Sequence, residues 1–336
     1  MTLTSRENYK RILDHKLPEW IPDFKKESVG GPISILEERA PGDGTPAQVF
    51  GGTGKDWFGV NWVYEPTVRA SMVDPKYPFV MNDITKWNEI IKFPNLDKID
   101  WKGWNEKNHP FEDPDKLHFV TILNGLFERL HALMGMTEAN CALIEEPEAV
   151  YEFFGALTDY KIKLIDKLVT NFDIDFIEFH DDWGHGRGTF FSPKTWDDLI
   201  GPHMKRIADF TKSKGVYFGV HSCGKMESLV PNMLACGIEH WTSCQGMNDI
   251  EQLVKTYGGQ LTMLGGMDIP EYRSSSMTLE KLTELAGERI DLLCKGGCFV
   301  PFGSSSVPNL SDAVGRALEM RKDYFQKPEN QKYPRN

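Results

Sequence analysis

The 336-residue sequence contains no uninterrupted apolar run of about 18 residues, which is the length that a membrane-spanning helix needs. Its first twenty residues, MTLTSRENYKRILDHKLPEW, are charged from Arg6 onward and lack the apolar core of a secretion signal. We therefore expect a cytoplasmic protein with no membrane partner. In that compartment the six cysteines stay reduced, and their thiols are free for a metal or for catalysis.

Basic residues are too few for a nucleic-acid-binding surface. Lys and Arg number 38 against 49 Asp and Glu, which gives a formal net charge of −11. Because phosphate neutralisation needs concentrated Lys and Arg, nucleic acid is excluded as an expected partner. Nucleotide-binding glycine motifs are also incomplete: GGTGKD at 51–56 breaks the P-loop spacing, and GHGRG at 184–188 is not G-x-G-x-x-G.

The composition is that of a globular protein, with 40% hydrophobic and 26% charged residues. From about residue 115, strand-like apolar runs alternate with helix-like stretches such as 147–172 and 192–215, the latter starting at Ser192 and Pro193 and ending at Gly215. This pattern predicts βα units feeding a parallel sheet, with the main run at 116–325 in a single domain of residues 1–336. The predicted strands are 119–123, 174–179, 216–220, 238–242, 261–264 and 298–302.

The first 115 residues are less regular. They offer one helix at 5–15, a short strand at 20–24, and a segment rich in glycine, proline and aromatic residues at 30–77. Long irregular segments in compact domains are often lids or binding loops, so we interpret this elaboration as a substrate cover. A surface excursion that only wraps the main body is the alternative.

One predicted strand ends in His221-Ser222-Cys223-Gly224. In an extended segment, residues i and i+2 leave the same face, so one imidazole and one thiolate can reach a single ion. Zinc prefers these ligands, and a catalytic zinc site needs about three protein ligands. The alternative is structural: a buried cysteine beside a hydrogen-bonded histidine.

A further thiol follows the next predicted strand, at Cys244. Because consecutive strand ends are neighbours in a parallel barrel, Cys244 is expected to complete a zinc set with His221 and Cys223, unless it is merely a packed thiol. The four other cysteines are interpreted as structural: Cys141, Cys236, Cys294 and Cys298.

A second polar cluster follows the predicted strand at 174–179. Glu178, His180 and Asp182 alternate on one face of the extended segment, and Asp181 lies on the other. Together with His185, these residues have the composition of a reaction centre, where a general acid or a supporting carboxylate is needed. Glu178 or Asp182 would also suit a metal as an oxygen ligand. The alternative is that the aspartates cap the following turn.

Four stretches carry a family resemblance. The sequence resembles the uroporphyrinogen decarboxylase superfamily, and more closely its corrinoid-dependent methyltransferase branch (methyltransferase I, O-demethylase-like), over nearly its whole length. This resemblance implies a (β/α)8 TIM barrel with N-terminal embellishments, a zinc site at the C-terminal mouth, and methyl transfer involving a separate corrinoid protein. The stretches are SRENYKRILDHKLPEWIPDF (5–24), NGLFERLHALMGMTEA (124–139), FHDDWGHGRGTFFSPKTWDDLIGPHMKRI (179–207) and HSCGKMESLVPNMLACGIEHW (221–241).

Residue by residue, the resemblance places the family's zinc pair on His221 and Cys223. Members that methylate a thiol take a third thiolate from the last barrel strand, where this sequence has Ser304. The related cobalamin-independent methionine synthase takes another zinc ligand about twenty residues past its His-x-Cys pair, and Cys244 occupies the equivalent stretch of this sequence. The decarboxylases carry an arginine-rich motif for their polycarboxylate substrate, and this chain has GGPISILEERAPGDG at 30–44 instead. With a net charge of −11, a porphyrinogen is a poor fit.

The expected activity is therefore methyl transfer from a small methylated donor to the cobalamin of a corrinoid-binding protein, which would be a transient partner. An aryl methyl ether is the favoured class of donor. Zinc would act as a Lewis acid on the ether oxygen, with Asp181, His180 or His185 supplying or orienting a proton. The metal ligands expected from sequence are His221, Cys223, Cys244 and Glu178. The residues expected around an aryl ring, each of which also suits a core position, are Trp57, Phe58, Trp62, Phe127, Phe179, Trp183 and Met134.

Three alternatives remain open at this point. A methylcorrinoid:thiol (coenzyme M-type) methyltransferase would use zinc to activate a thiol. A decarboxylase like those of the parent family would work without metal. A catalytically silent barrel would only bind its small molecule. The sequence does not indicate the oligomeric state.

Overall fold

The computed structural model describes residues 3–31, 53–67, 70–109, 111–269, 272, 277–303 and 307–333. Ser304 and most of the segment at 30–44 lie outside the described residues. Within these ranges, none of the helices combines the length and the apolar character needed to cross a lipid bilayer.

The strands and helices alternate along most of the described chain. The strands are β1 (Ser28–Gly30), β2 (Gly54–Lys55), β3 (Asn61–Glu65), β4 (Ala70–Val73), β5 (Leu117–Ile122), β6 (Phe176–His180), β7 (Gly184–His185), β8 (Gly188–Thr189), β9 (Tyr217–His221), β10 (His240–Cys244), β11 (Thr262–Gly266) and β12 (Phe299–Phe302). The helices are α1 (Ser5–Leu13), α2 (Phe24–Glu27), α3 (Trp87–Ile90), α4 (Trp101–Asn108), α5 (Phe127–Met134), α6 (Met136–Glu145), α7 (Pro147–Asn171), α8 (Pro193–Leu199), α9 (Gly201–Ser213), α10 (Val230–Ala235), α11 (Ile250–Tyr257), α12 (Leu279–Leu293) and α13 (Leu310–Glu319).

A curled parallel sheet forms the centre of the molecule. Its strand order is β1-β5-β6-β9-β10-β11-β12, so the described residues contribute seven strands to it. The Phe24 ring of α2 lies 5.0 Å from that of Phe119 in β5 and 5.8 Å from that of Phe302 in β12. One aromatic side chain thus contacts strands near both edges of the sheet, as a barrel-like curl requires. The predicted α/β barrel class is confirmed.

The inner face of the sheet changes character along its strands. Near the amino ends a small apolar cluster contains Leu117 and Phe176, and α1 covers this cluster with Tyr9 and Leu13. Residues of the same parity further along β6 are Glu178 and His180, so polar groups line the carboxyl-terminal end of the same face. The apolar end holds the barrel together, and the polar end positions the candidate site.

Most helix predictions match the structure. The stretch at 147–172 forms α7, but the stretch at 192–215 divides into α8 and α9. Pro202 lies in the first turn of α9, where its missing N–H ends the hydrogen-bond ladder of the preceding helix. Ser192 caps α8 by accepting the N–H of Thr195 at 3.0 Å. The strand predicted at 20–24 is wrong, because its last residue begins α2 instead.

A three-stranded antiparallel sheet, β2-β3-β4, belongs to the N-terminal elaboration. Asp56 anchors it to α5: its carboxylate accepts from Arg129 Nη1 at 2.6 Å and from Trp62 Nε1 at 3.0 Å. The same carboxylate accepts the N–H groups of Phe58 and Val60, both at 2.9 Å. The Asp56 and Arg129 side chains are fully buried. The aspartate that ends GGTGKD therefore forms a structural ion pair.

Candidate metal centre

The carboxyl-terminal ends of β6 and β9 place two imidazoles side by side. Parallel pairing sets His180 opposite His221, and their rings stack with centroids 4.0 Å apart and planes at 15°. Barrel enzymes carry their chemistry at this end of the strands. The register of β6 and β9, which the alternating sequence pattern indicates, thus determines the positions of these two imidazoles.

A carboxylate and a thiol join the two rings. The potential ligand atoms of His180, Asp182 and His221 all lie within 4.8 Å of one another. Asp182 Oδ1 accepts the N–H of Cys223 at 2.7 Å, which ties together the turns after β6 and β9. These four residues, His180, Asp182, His221 and Cys223, are the donor group named in the following paragraphs.

The donor group suits a zinc ion. Cys223 Sγ lies 3.6 Å from His221 Nε2. Tetrahedral zinc with ordinary Zn–S and Zn–N bonds separates a sulfur and a nitrogen ligand by about 3.6 Å. The structure thus brings the predicted His221–Cys223 pair together at a separation that a shared zinc ion would impose.

Glu178 lies next to the donor group, beside His221. It accepts hydrogen bonds from Thr121 Oγ1 at 2.6 Å and from Thr242 Oγ1 at 2.5 Å, and its Oε1 lies 3.8 Å from His221 Nδ1. Burial opposes ionisation of Glu178, but the His221 ring and the two hydroxyl donors outweigh it and lower the pKa to about 2. Glu178 was predicted as a ligand; because threonines hold its oxygens, Asp182 is the carboxylate within the donor group.

Glu128 is a site residue that sequence reasoning did not predict. Its Oε2 lies 2.8 Å from His180 Nδ1, across 52 residues of sequence. Burial disfavours charge on either group, but each stabilises the other's charged form: the pKa of Glu128 is lowered to about 2, and that of His180 is raised to about 9. The available signal was its position in the second residue of a helix that directly follows β5.

His221 also carries a raised pKa. Burial and the neighbouring His180 ring lower it, but hydrogen bonding to Cys223 and the Glu178 carboxylate raise the pKa to about 9. Both imidazoles of the metal-free protein therefore hold a second proton near neutral pH. A metal ion entering the site has to displace these protons, since only neutral imidazole is a ligand.

The structure does not bring Cys244 into the donor group. The pairing of β10 with β11 shifts register between Trp241 and Cys244, and Ser243 adopts a left-handed conformation with φ of 58°. The bulge places Ser243 Oγ 3.2 Å from Cys223 Sγ, while Cys244 lies fully buried in the hydrophobic core. Burial raises the pKa of the Cys244 thiol far above its ordinary value, which disfavours the thiolate a metal needs.

Two of the three predicted proton donors lie outside the donor group. Asp181 is fully buried and accepts the N–H groups of Leu126, Phe127 and Glu128 at 3.0, 3.2 and 2.8 Å, so it caps the start of α5. Burial and the Glu128 charge raise the pKa of Asp181 to about 7, against the amide donors. His185 is exposed in the β7–β8 hairpin.

The predicted aryl-binding residues form core rather than an open pocket. Phe127, Phe179 and Trp183 expose no surface, so they offer none to a ligand. Trp183 packs edge-to-face on Trp196 with centroids 5.4 Å apart. The residues that expose 5% or less are Phe58, Trp62 and Met134, and Trp57 is only partly buried.

Two comparisons connect this structure to known proteins. Residues 123–281 match the family "Uroporphyrinogen decarboxylase (URO-D)", a span that contains the whole donor group. The fold is similar to that of a methyltransferase from Methanosarcina mazei, with a TM-score of 0.66 and 14% sequence identity over 97% of this chain and 100% of the other. No curated protein sequence matches the chain. Residues 123–281 are thus similar to the URO-D family, and the resemblance to the uroporphyrinogen decarboxylase superfamily is confirmed over that span.

Proposed function

We propose that the protein is a corrinoid-dependent methyltransferase that demethylates a small methylated donor, of the aryl methyl ether class, and passes the methyl group to a corrinoid-binding protein. The observation that carries this proposal is the pairing of β6 with β9, which gathers two imidazoles and a carboxylate at the carboxyl-terminal edge of the sheet, with the Cys223 thiol beside His221. The fold shared with a methyltransferase and the resemblance of the sequence support it.

The residues that would hold zinc are His180, Asp182 and His221, whose potential ligand atoms lie within 4.8 Å of one another, and Cys223, whose Sγ lies 3.6 Å from His221 Nε2. Zinc bound there would supply Lewis acidity to the oxygen from which the methyl group is removed. An ether needs this help, because its oxygen leaves with negative charge.

The surrounding residues order these donors. Glu178, itself held by Thr121 and Thr242, faces Nδ1 of His221, so Nε2 is the nitrogen turned toward Cys223. Asp182 keeps one oxygen on the backbone of Cys223 and has a second oxygen for a ligand bond. Of the three proton donors predicted from sequence, His180 alone lies within the donor group.

Partly buried aromatic side chains remain for a substrate ring. Phe190 packs between His185 and Phe127, with centroid distances of 5.3 and 5.7 Å, and Trp57 lies in the N-terminal elaboration. A substrate ring stacked on such a side chain would gain about 0.5–1.5 kcal/mol per pair.

A donor panel tests the proposal. The protein is incubated with cob(I)alamin, both free and bound to a corrinoid protein, and with a methoxyarene, methanol, methylamine or a methyl thioether in separate reactions. We expect the cob(I)alamin absorbance to give way to that of methylcobalamin with the methoxyarene. No methylation with any donor would contradict the methyltransferase proposal, and methylation from another donor alone would contradict the substrate class.

A matched variant guards against non-enzymatic transfer. Cys223→Ser removes a zinc-binding thiol and keeps a small polar side chain, and we expect it to abolish methylation. Cys141→Ser changes an exposed thiol elsewhere and should retain wild-type rates.

A further inference from the structure

We propose that Glu128 is a positioning residue for the metal: it holds the His180 ring so that Nε2 faces Asp182 and His221. This role rests on the proposed zinc centre, and it adds a residue that the zinc pair expected from sequence does not include. The contact that carries it is the 2.8 Å separation of Glu128 Oε2 and His180 Nδ1.

The contact determines which nitrogen is available. A carboxylate oxygen accepts, so Nδ1 of His180 donates, and Nε2 is left with its lone pair once the ring is neutral. Carboxylates that bind the far nitrogen of a ligating histidine fix its tautomer and orientation in metal sites. The two side chains are 13% and 15% exposed, so water competes weakly for this contact.

The backbone fixes both partners in place. Asp181 accepts the N–H of Glu128 at 2.8 Å, and the carbonyl of His180 accepts the N–H of Gly125 at 2.7 Å. His180 at the end of β6 and the following Asp181 thus hold the turn before α5 and the first turn of α5. The approach is close enough that a Cβ on Gly125 would lie 2.5 Å from Asp181 Cβ and 2.7 Å from the Phe179 ring.

The His221 imidazole lies farther from its nearest carboxylate than the His180 imidazole does. Glu178 Oε1 lies 3.8 Å from His221 Nδ1, which is beyond hydrogen-bond distance. His221 is instead placed by Cys223, two residues along the same strand end. His180 has no such thiol neighbour, so its orientation depends on Glu128.

Zinc affinity tests this role. Zn²⁺ is titrated into metal-free protein in competition with a chromogenic chelator, for wild type and for three variants of Glu128. Glu128→Ala removes the carboxylate, Glu128→Asp withdraws it by one methylene, and Glu128→Gln keeps an acceptor of the same length. We expect about 10- to 100-fold weaker binding for the first two, and a clearly smaller loss for Gln. Glu145→Gln, on the exposed side of α6, is the control and should bind as wild type.

The side-chain nitrogens give a second readout. In long-range ¹⁵N spectra of the zinc-loaded protein, the His180 proton should sit on Nδ1 in wild type and in the Gln variant. If Glu128→Ala fails to fold, the contrast between Asp and Gln decides. Wild-type affinity in the Asp variant, an equal loss in Gln and Asp, or no zinc binding by wild type would overturn the role.

The metal readouts separate this role from the activity. Absence of methyl transfer with normal zinc binding would contradict the proposed function and leave the positioning of His180 standing. Full methyl transfer with unchanged zinc affinity in the Asp and Ala variants would contradict the positioning role of Glu128 and leave the proposed function standing.

Discussion

Cys223 and Ser243 meet across the ends of β9 and β10, with 3.2 Å between Sγ and Oγ. The sequence expectation had placed a second thiol, Cys244, at this point. Ser243, in a left-handed backbone conformation, shifts the strand by one residue. Its hydroxyl therefore lies at the site where the Cys244 thiol was expected. The described residues of the site thus present the Cys223 thiol, in contact with the Ser243 hydroxyl, together with imidazole and carboxylate groups.

Replacing the neighbouring residues Ser243 and Cys244 one at a time should separate their roles. Cys244→Ala is expected to keep zinc and to lower the thermal unfolding temperature, because its side chain fills core space. Ser243→Ala should keep the fold and weaken zinc binding, since it removes the group that contacts Cys223 Sγ. Chelator competition and thermal melts measure both effects. Zinc loss in Cys244→Ala with unchanged zinc binding in Ser243→Ala would show that the bulge is misplaced.

His180, His221, Glu128 and Glu178 together should stabilise the metal-free protein most in mildly acidic solution. His180 and His221 have pKa values raised from 6.5 to about 9, so their contribution is complete below about pH 6.5 and is lost as pH rises through 9. Glu128 and Glu178 have pKa values lowered from 4.5 to about 2, so theirs is present above 4.5 and lost as pH falls through 2. Urea unfolding with a chelator present, at pH 3 to 9, measures this.

A variant assigns the alkaline part of that profile. Glu128→Gln removes the charge that raises the His180 pKa, so the decline in the free energy of unfolding between pH 6.5 and 9 should become shallower. An identical decline in wild type and variant would contradict the coupling of these two residues.

Adding one methyl group at Gly125 should disturb the site from a distance. Gly125→Ala forces a Cβ against Asp181 and the Phe179 ring, and overpacking of this kind costs about 1–3 kcal/mol. The start of α5 has to move, and zinc affinity should fall with it. Gly186→Ala is the matched control, because nothing lies within 4 Å of its added Cβ. Equal zinc affinity and stability for the two variants would contradict the close approach of α5 to β6.

The buried ion pair of the N-terminal elaboration should contribute to stability, not to chemistry. Asp56→Ala removes the buried carboxylate that Arg129 Nη1 contacts, and breaking a buried ion pair costs about 3–5 kcal/mol in comparable sites. Denaturant unfolding measures the loss. Lys194→Ala, which removes the exposed pair with Asp198, should leave the unfolding midpoint unchanged. A midpoint for Asp56→Ala equal to that of wild type would contradict the anchoring role.

The regular part of the structure was predictable because it follows from periodicity. Alternation in β6 and β9 places Glu178, His180 and His221 on one face, and Ser192 caps the start of α8 as its sequence indicates. The pair of His221 and Cys223 could be identified for the same reason, since two residues at i and i+2 on a strand end need no knowledge of the rest of the chain.

The remainder depends on contacts that no local pattern records. The bulge at Ser243 reverses the face that alternation assigns to Cys244. Asp181 lies beside a helix that starts more than fifty residues earlier, so its role as a cap is invisible in its own segment. The aromatic residues were ambiguous because a buried ring and a ring that lines a pocket have the same sequence pattern.

Zinc content per chain tests the central claim most directly. Metal analysis of wild type and Cys223→Ser, both prepared without chelators and with zinc supplied, should give about one zinc per chain in wild type and a large loss in the variant. Wild type without stoichiometric zinc, or a variant that retains it, would contradict the claim that the ends of β6 and β9 form a metal centre.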